Sequence, residues 1–449
     1  MKEMAQGTQI APPKVEKLST RLAQLALATS CYIAIRLRYD VQATGLDRYH
    51  RASSELFIAA HRRDPDPLVL ASFLLPWFPR VFDRRPIVNV IREDGMRPGF
   101  LSTVVGYKRW PEWTQRALYG INVGPVLRLF GAYPVVRVHE YTLEDLFRDL
   151  LEDGENPRLG TLLEEAALAE FSALGQRPAA GLTVREALNW RYRPLLRRLI
   201  HDVPLLKEQR AIMKRRLRQR VVRQLDTLAT FLQNGATMWF APEGRVSLDG
   251  RICPIRSGLY AILRKAPPDM LCLPMNCVYE FMTTGRHRLF VTIGPHLPGL
   301  PQMSRYELAQ QVRRTLASLA TVTVQHLGSR ALLRTATMGS QAINLIAWEE
   351  EMRTAGAHFR ELGAAVDPRI FNRPALRKRI REYLRYCQRL GLVRPVDHEW
   401  YAVDSKRILA NKETTFWDNP VRYCANELAD LEQALAGVST HLEEAVDAE

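Results

Sequence analysis

The 449-residue sequence lacks a long apolar run and paired cysteines, two features that would each have settled its class. A membrane-crossing helix needs about 20 consecutive apolar residues. Here the longest stretches free of Asp, Glu, Lys and Arg are 16 residues, broken by Gln-Asn-Gly or by prolines. The six cysteines, Cys31, Cys253, Cys272, Cys277, Cys387 and Cys424, form no CxxC pair and no repeated spacing. The first residues carry no cleavable export pattern, so the expectation is a reducing, cytosolic environment with free thiols. HExxH, paired CxxC, a Walker loop and GxGxxG are also missing, so no metal and no bound cofactor is expected. No internal repeat stands out, which argues against a solenoid.

What is present is a globular composition, 47% hydrophobic and 25% charged, in a chain long enough for two or three domains. Its charge is lopsided. Sixty-three Lys and Arg face 48 Asp and Glu, a net +15, so the surface should attract phosphate groups, acidic membranes or nucleic acid. Residues 191–223 hold 12 Lys or Arg against only Asp202 and Glu208. That segment reads either as a solvated helix face or as a surface for anionic lipid or an acidic carrier protein. Near the N-terminus, LAQLALATSCYIAI (22–35) sits between Arg21 and Arg36. It is too short to span a bilayer, and suits either an interfacial helix or an ordinary packing helix. Trp77, Phe78, Trp110 and Trp113 stand near Arg80, Lys108 and Arg109, a pairing favoured at headgroup level that core packing explains nearly as well.

From residue 38 to 320 short β-rich runs alternate with helical stretches, the pattern of an α/β domain. Strands are expected over 55–61, 85–91, 132–138, 236–242, 270–278 and 288–294, and helices over 67–78 and 113–130. Most of the strands are apolar on both faces, as in a mostly parallel sheet flanked by helices. Residues 139–234 interrupt the rhythm as a helical insertion, with Ile212, Met213, Leu217, Val221, Leu225, Leu228 and Leu232 spaced as one helix face. The region 321–449 reads as mainly helical. Helices are expected over 304–320, 338–362, 374–390 and 420–436, and a small winged element around Gly391-Leu-Val and Tyr401-Ala-Val. Residues 1–37 form a leader and an interfacial helix.

The first interior strand ends in Ala60-His61-Arg62-Arg63-Asp64-Pro65-Asp66. A histidine followed five residues later by an acid is common; Glu55 and Glu144 stand so after His50 and His139. Only His61 follows an apolar strand and precedes a Pro-led apolar stretch, which puts it at a strand's C-terminal mouth, where α/β sheets carry their sites. A neutral imidazole can take a proton from an alcohol as it attacks an acyl carbonyl, while a carboxylate on the other nitrogen fixes the tautomer. A thioester is already activated, so the enzyme itself need supply no nucleophile.

Three further blocks follow: Gly131-Ala-Tyr-Pro-Val-Val-Arg137; Phe240-Ala-Pro-Glu243-Gly244-Arg245-Val-Ser247 with Arg256-Ser-Gly behind it; and Leu273-Pro274-Met275-Asn276. With His61 and Asp66 they resemble, in order, the four blocks of the glycerolipid acyltransferases, over about residues 38–320 without the insertion. The resemblance implies His61 as general base and Asp66 as its orienting partner. It further implies Arg137 as a phosphate contact, with Gly131, Glu243, Gly244 and Arg245 or Arg256 completing the acceptor pocket and Pro274 near the acyl chain. A guanidinium fork fits phosphate oxygens and glycine permits close approach. The implied substrates are an acyl thioester, of coenzyme A or acyl carrier protein, and glycerol 3-phosphate or its 1-acyl derivative. The implied location is the cytoplasmic side of an anionic membrane.

Three positions depart from that pattern. Val246 stands where the third block's arginine usually falls, Ala60 precedes the histidine in place of Asn or Ser, and the 139–234 insertion replaces a much shorter connection. The first and last leave room for another lysolipid or hydroxylated lipid as acceptor. Glu140 and Glu144 offer Arg137 a plain ion pair as a structural reading. A rival of another class, a basic nucleic-acid-binding or non-catalytic scaffold protein, rests on the 191–223 segment and the winged element.

Overall fold

The computed structural model describes residues 18–48, 54–63, 66, 69, 87–101, 111–129, 131–410 and 418–446. Its strands are β1 (Asp40–Thr44), β2 (Glu55–Ala59), β3 (Ile87–Arg92), β4 (Ala132–Val135), β5 (Thr237–Phe240), β6 (Leu271–Glu280), β7 (Arg288–Ile293), β8 (Ala342–Asn344), β9 (Val393–Pro395) and β10 (Trp400–Val403). The chain divides into two compact units, one of residues 17–85 and 232–449, the other of 1–16 and 86–231.

In the first unit five strands lie in the order β1, β7, β6, β2, β5. All neighbours are parallel except β6 and β7. This is the expected α/β arrangement with a mixed, mostly parallel sheet. Every residue of β2 and β5 is buried, as the two-sided apolar runs imply. The core beneath them joins Phe57, Leu273 and Val291 to Leu327, Phe359, Leu384 and Leu431 from the C-terminal helices. β1 was not expected. Its sequence DVQAT is half polar because it has only one neighbour, β7, and it holds a single buried residue, Val41.

The C-terminal part is helical, as read, with different boundaries. Helices run over Val324–Thr337 and Leu345–Glu361, so the helix expected over 338–362 starts late and an unforeseen one precedes it. Gly339 at φ +72 ends the first, and the Asn344 side chain caps the second by accepting the N–H groups of Ile346 and Ala347. Two more cover Arg373–Arg389 and Pro420–Val446. β8, β10 and β9 make a small antiparallel sheet that holds Tyr401-Ala-Val and, of Gly391-Leu-Val, the final Val393, from the runs read as a winged element.

In the second unit β3 and β4 are parallel. The helical block has its own core around Phe147, Leu163, Phe171, Leu196 and Leu217. The helix expected over 113–130 is two, Glu112–Tyr119 and Gly124–Leu129, parted at Gly120 and restarted where Asn122 Oδ1 accepts the Gly124 N–H at 2.9 Å. In the long helix Lys207–Gln233, Met213, Leu217 and Leu228 face inward, but Ile212 is 46% exposed and leaves the expected apolar face.

The N-terminal helix spans Leu18–Arg38, and among the described residues no helix is long and apolar enough to cross a membrane. All six cysteines are free. The leader to residue 17, all but Val69 of the helix expected over 67–78, and Trp77, Phe78 and Trp110 lie outside the described residues. Trp113 is 73% exposed.

Candidate active site

Strands that run parallel deliver their following loops to one edge. In the β2/β5 register Ile58 stands opposite Phe240, so three residues further on His61 meets Glu243. The His61 N–H donates to Glu243 Oε1 at 2.8 Å, and the Cys253 N–H donates to Oε2 at 2.7 Å. Ser247 N–H completes the bracket on the His61 carbonyl, also at 2.8 Å. Both oxygens of buried Glu243 are thereby engaged with the main chain. The side chain grips the histidine's own backbone. Burial pushes the Glu243 carboxyl above its usual range, against the two N–H bonds and the nearby Arg62 charge.

Asp66 is fully buried. Its Oδ2 accepts the backbone N–H groups of Arg62 at 2.6 Å and Arg63 at 2.7 Å, and lies 3.4 Å from His61 Nδ1. Its Oδ1 accepts the Tyr279 hydroxyl at 2.6 Å. A carboxylate only accepts, so the neutral imidazole directs N–H from Nδ1 toward Asp66 and keeps Nε2 as the free base. Burial, with the Asp66 charge behind it, holds the Tyr279 hydroxyl far above its ordinary pKa, so it stays a donor. The His61 ring meets Trp239 edge to face at 6.2 Å between centroids and remains 12% exposed, enough to exchange a proton.

The remaining third-block residues lie around this bracket. Gly244 adopts φ +69, which favours glycine, and the nearest atom to a would-be side chain is Arg256 Cγ at 3.7 Å. Arg256 anchors its main chain by donating to the Pro242 carbonyl at 2.9 Å, and both its side chain and that of Arg245 are exposed. Pro274 is not the edge or turn residue that its type suggests. It lies within β6, opposite Ile58 of β2, and its carbonyl accepts the Gly294 N–H at 2.8 Å. Its missing N–H is tolerated because the paired β6/β7 register begins one residue later, at Met275 and Ile293.

Gly131 and Arg137 belong to the other unit. Gly131, at φ +75, approaches β3 so closely that a Cβ would sit 1.9 Å from the Ile87 carbonyl oxygen, which accounts for the glycine by backbone packing. Arg137 ion-pairs with Glu140 at 3.2 Å, and Arg92 reaches the same carboxylate at 3.4 Å. Burial lowers the Arg137 pKa, opposed by Glu140 and assisted by the Arg92 charge. A cleft beside them is lined by Arg92, Asp94, Arg137 and Glu140. Arg92 was not anticipated, because a single arginine at a strand end has no sequence signature.

Among the described residues Glu93, Asp149 and Glu152 come close enough to share a cation, but Arg97 and Arg220 already bridge them. Arg62 and Tyr279 were likewise missed; both act across more than 180 residues of sequence. Neither protein-family models nor curated proteins give a match to this chain.

Proposed function

We propose that the protein is an O-acyltransferase of phospholipid biosynthesis. It moves a fatty acyl group from coenzyme A or acyl carrier protein to the hydroxyl of 1-acylglycerol 3-phosphate or glycerol 3-phosphate. His61 takes the hydroxyl proton as the oxygen attacks the thioester carbonyl, and Asp66 holds the ring and stabilises the imidazolium. The thiolate leaves and recovers a proton, so the balance is one ester formed, one thioester broken and one thiol released. Arg137, with Arg92 beside it, is the pair of guanidiniums suited to the acceptor's phosphate.

The observation that carries this reading is the histidine and carboxylate fixed at the C-terminal edge of parallel strands, the carboxylate held by two backbone N–H groups and a tyrosine hydroxyl. Membrane attachment is proposed on the N-terminal helix, which packs Tyr32 and Ile35 against the core but leaves other apolar residues outward. Arg21, Gln24 and Ala28 are buried, while Leu22, Ile33 and Leu37 are exposed, Leu37 at 77%. An outward apolar stripe with Arg36 and Arg38 at its end suits an interface with anionic lipid.

The test is thiol release by the purified protein with acyl-CoA or acyl carrier thioester and a panel of acceptors. Turnover should require glycerol 3-phosphate or lysophosphatidate, and Arg137→Ala should raise KM for that acceptor at least tenfold. Thiol release at the same rate with every acceptor, or with none, would rule the assignment out.

A further inference from the structure

The helix Pro420–Val446 touches both loops that form the candidate site. Arg62, next to His61, points away from the imidazole into a nearly closed interior. Its guanidinium donates to the Gly250 carbonyl and to Asn276 Oδ1, the latter at 3.3 Å, and lies 3.5 Å from Glu427 Oε1. The other oxygen of Glu427 is 3.0 Å from His326 Nε2. The Thr323 N–H donates to His326 Nδ1 at 3.2 Å, so the proton of this imidazole is on Nε2 and points at Glu427. Burial opposes the charge on Glu427, but Arg62 and His326 together hold its pKa below the usual carboxylate range.

One turn further along, Asp430 Oδ2 accepts the Ile252 N–H at 2.8 Å, with Arg313 at 3.1 Å on its other oxygen. Asn426 donates to the Asp249 carbonyl at 3.0 Å. Gly250 at φ +86 lies so close to the helix that a Cβ would be 2.2 Å from the Tyr423 carbonyl oxygen. The helix thus grips the 249–252 loop by two hydrogen bonds and one close backbone approach, and Glu243, which holds the His61 N–H, is tied to the next residue, Cys253.

We infer that Glu427 is a positioning residue, and that the helix Pro420–Val446 sets the geometry of His61 by two routes: through Arg62 on one side, and through the 249–253 loop and Glu243 on the other. The inference rests on the reading of His61 as the base. It gives the C-terminal region a part in the chemistry that no sequence motif there announces. A glutamate and the histidine it steadies lie more than 360 positions apart in the chain, so only the assembled fold joins them.

The test is Glu427→Gln in the full-length protein, which keeps the side chain's size and an oxygen for His326 but removes the charge that faces Arg62. The expected result is a tenfold or greater fall in kcat, KM for donor and acceptor within twofold, and a Tm close to that of wild type. Unchanged kcat in a folded variant overturns the inference, as does a rise in KM with kcat intact. A second readout does not depend on activity: the rate at which diethyl pyrocarbonate modifies His61, followed by mass spectrometry. It should change at least threefold in Glu427→Gln. An unchanged rate overturns the positioning role. Wild type without acyl transfer but with the modification change would remove the acyltransferase reading and keep the structural link. If Glu427→Gln does not fold, Asp430→Ala takes its place, with the same two readouts and the same deciding results.

Discussion

Two clusters of carboxylates, one in each unit, are answered in opposite ways. Around Arg97 the acids Glu93, Asp145 and Asp149 are met chiefly by long side chains, Arg97 itself and Arg220, with Tyr141 donating to Asp149 at 2.5 Å and a single backbone N–H, that of Thr142, to Asp145 at 2.9 Å. Around His61 the acids Asp66 and Glu243 are met chiefly by backbone N–H groups, four in all, and by one tyrosine. Guanidiniums neutralise charge but carry flexible stems. Main-chain donors cannot swing away, so they fix where a carboxylate points. The first arrangement suits a structural clamp between helices and strands. The second suits a site in which one imidazole must be held in a single tautomer and orientation.

The comparison can be broken most strongly at Arg97. Replacing it by alanine removes one of the two guanidiniums that meet three partly buried acids and leaves only Arg220, and should cost about 3 kcal/mol of stability in urea unfolding. A loss under about 1 kcal/mol would show that the acids find water or protons instead. Next comes Glu243→Gln. An amide keeps one acceptor but turns an NH2 toward the other backbone donor, so about 1–3 kcal/mol is expected, with a fall in acyl transfer as the His61 backbone shifts. Retained stability and rate would mean the bracket is not what positions His61. Tyr279→Phe removes one donor from Asp66 and leaves two N–H groups; a loss of about 1.5 kcal/mol and a few-fold fall in kcat are expected.

The smallest effect concerns His287, beside which the described residues place cations and no acid. Burial, joined by the charges of Arg38, Arg63 and Arg379, pushes its pKa from 6.5 down to about 4. Between those values the unfolded chain binds a proton that the folded chain refuses, so stability falls as the pH drops from 6.5 toward 4. Tm measured across that window should decline less steeply in His287→Gln, by a few degrees at its acid end. Parallel curves for the two proteins would remove His287 from the account.

The parts of this molecule that could be read from sequence are those whose signal is local. β2, β5, β6 and β7 stood out because strands covered on both faces are apolar throughout. β1 did not, because an edge strand of five residues with one buried side chain resembles a loop. The helix at 324–337 was hidden by a boundary misplaced onto Met338 and Gly339, where turn chemistry overrides helical periodicity. His61 and Asp66 were legible as a spacing at a strand end. Their support was not: Tyr279 reaches Asp66 across 213 positions, and Glu427 reaches Arg62 only because the last helix returns to the sheet. Glu243 was legible as a residue, but its function as a brace appears only when the β2/β5 register is known. The basic segment 191–223 also reads differently once folded. Arg198 pairs with Glu170, Arg216 with Glu155, and Arg220 with Glu93 and Asp149, so part of its charge is spent within the unit.

The central claim, that His61 steadied by Asp66 removes the acceptor's proton, is tested most directly by the single-turnover rate of acyl transfer in His61→Ala beside wild type. Donor and acceptor would be saturating, with Tm recorded for both proteins. The account predicts a rate lower by about 10²–10⁴-fold with Tm within a few degrees. Equal rates in the two folded proteins would contradict it.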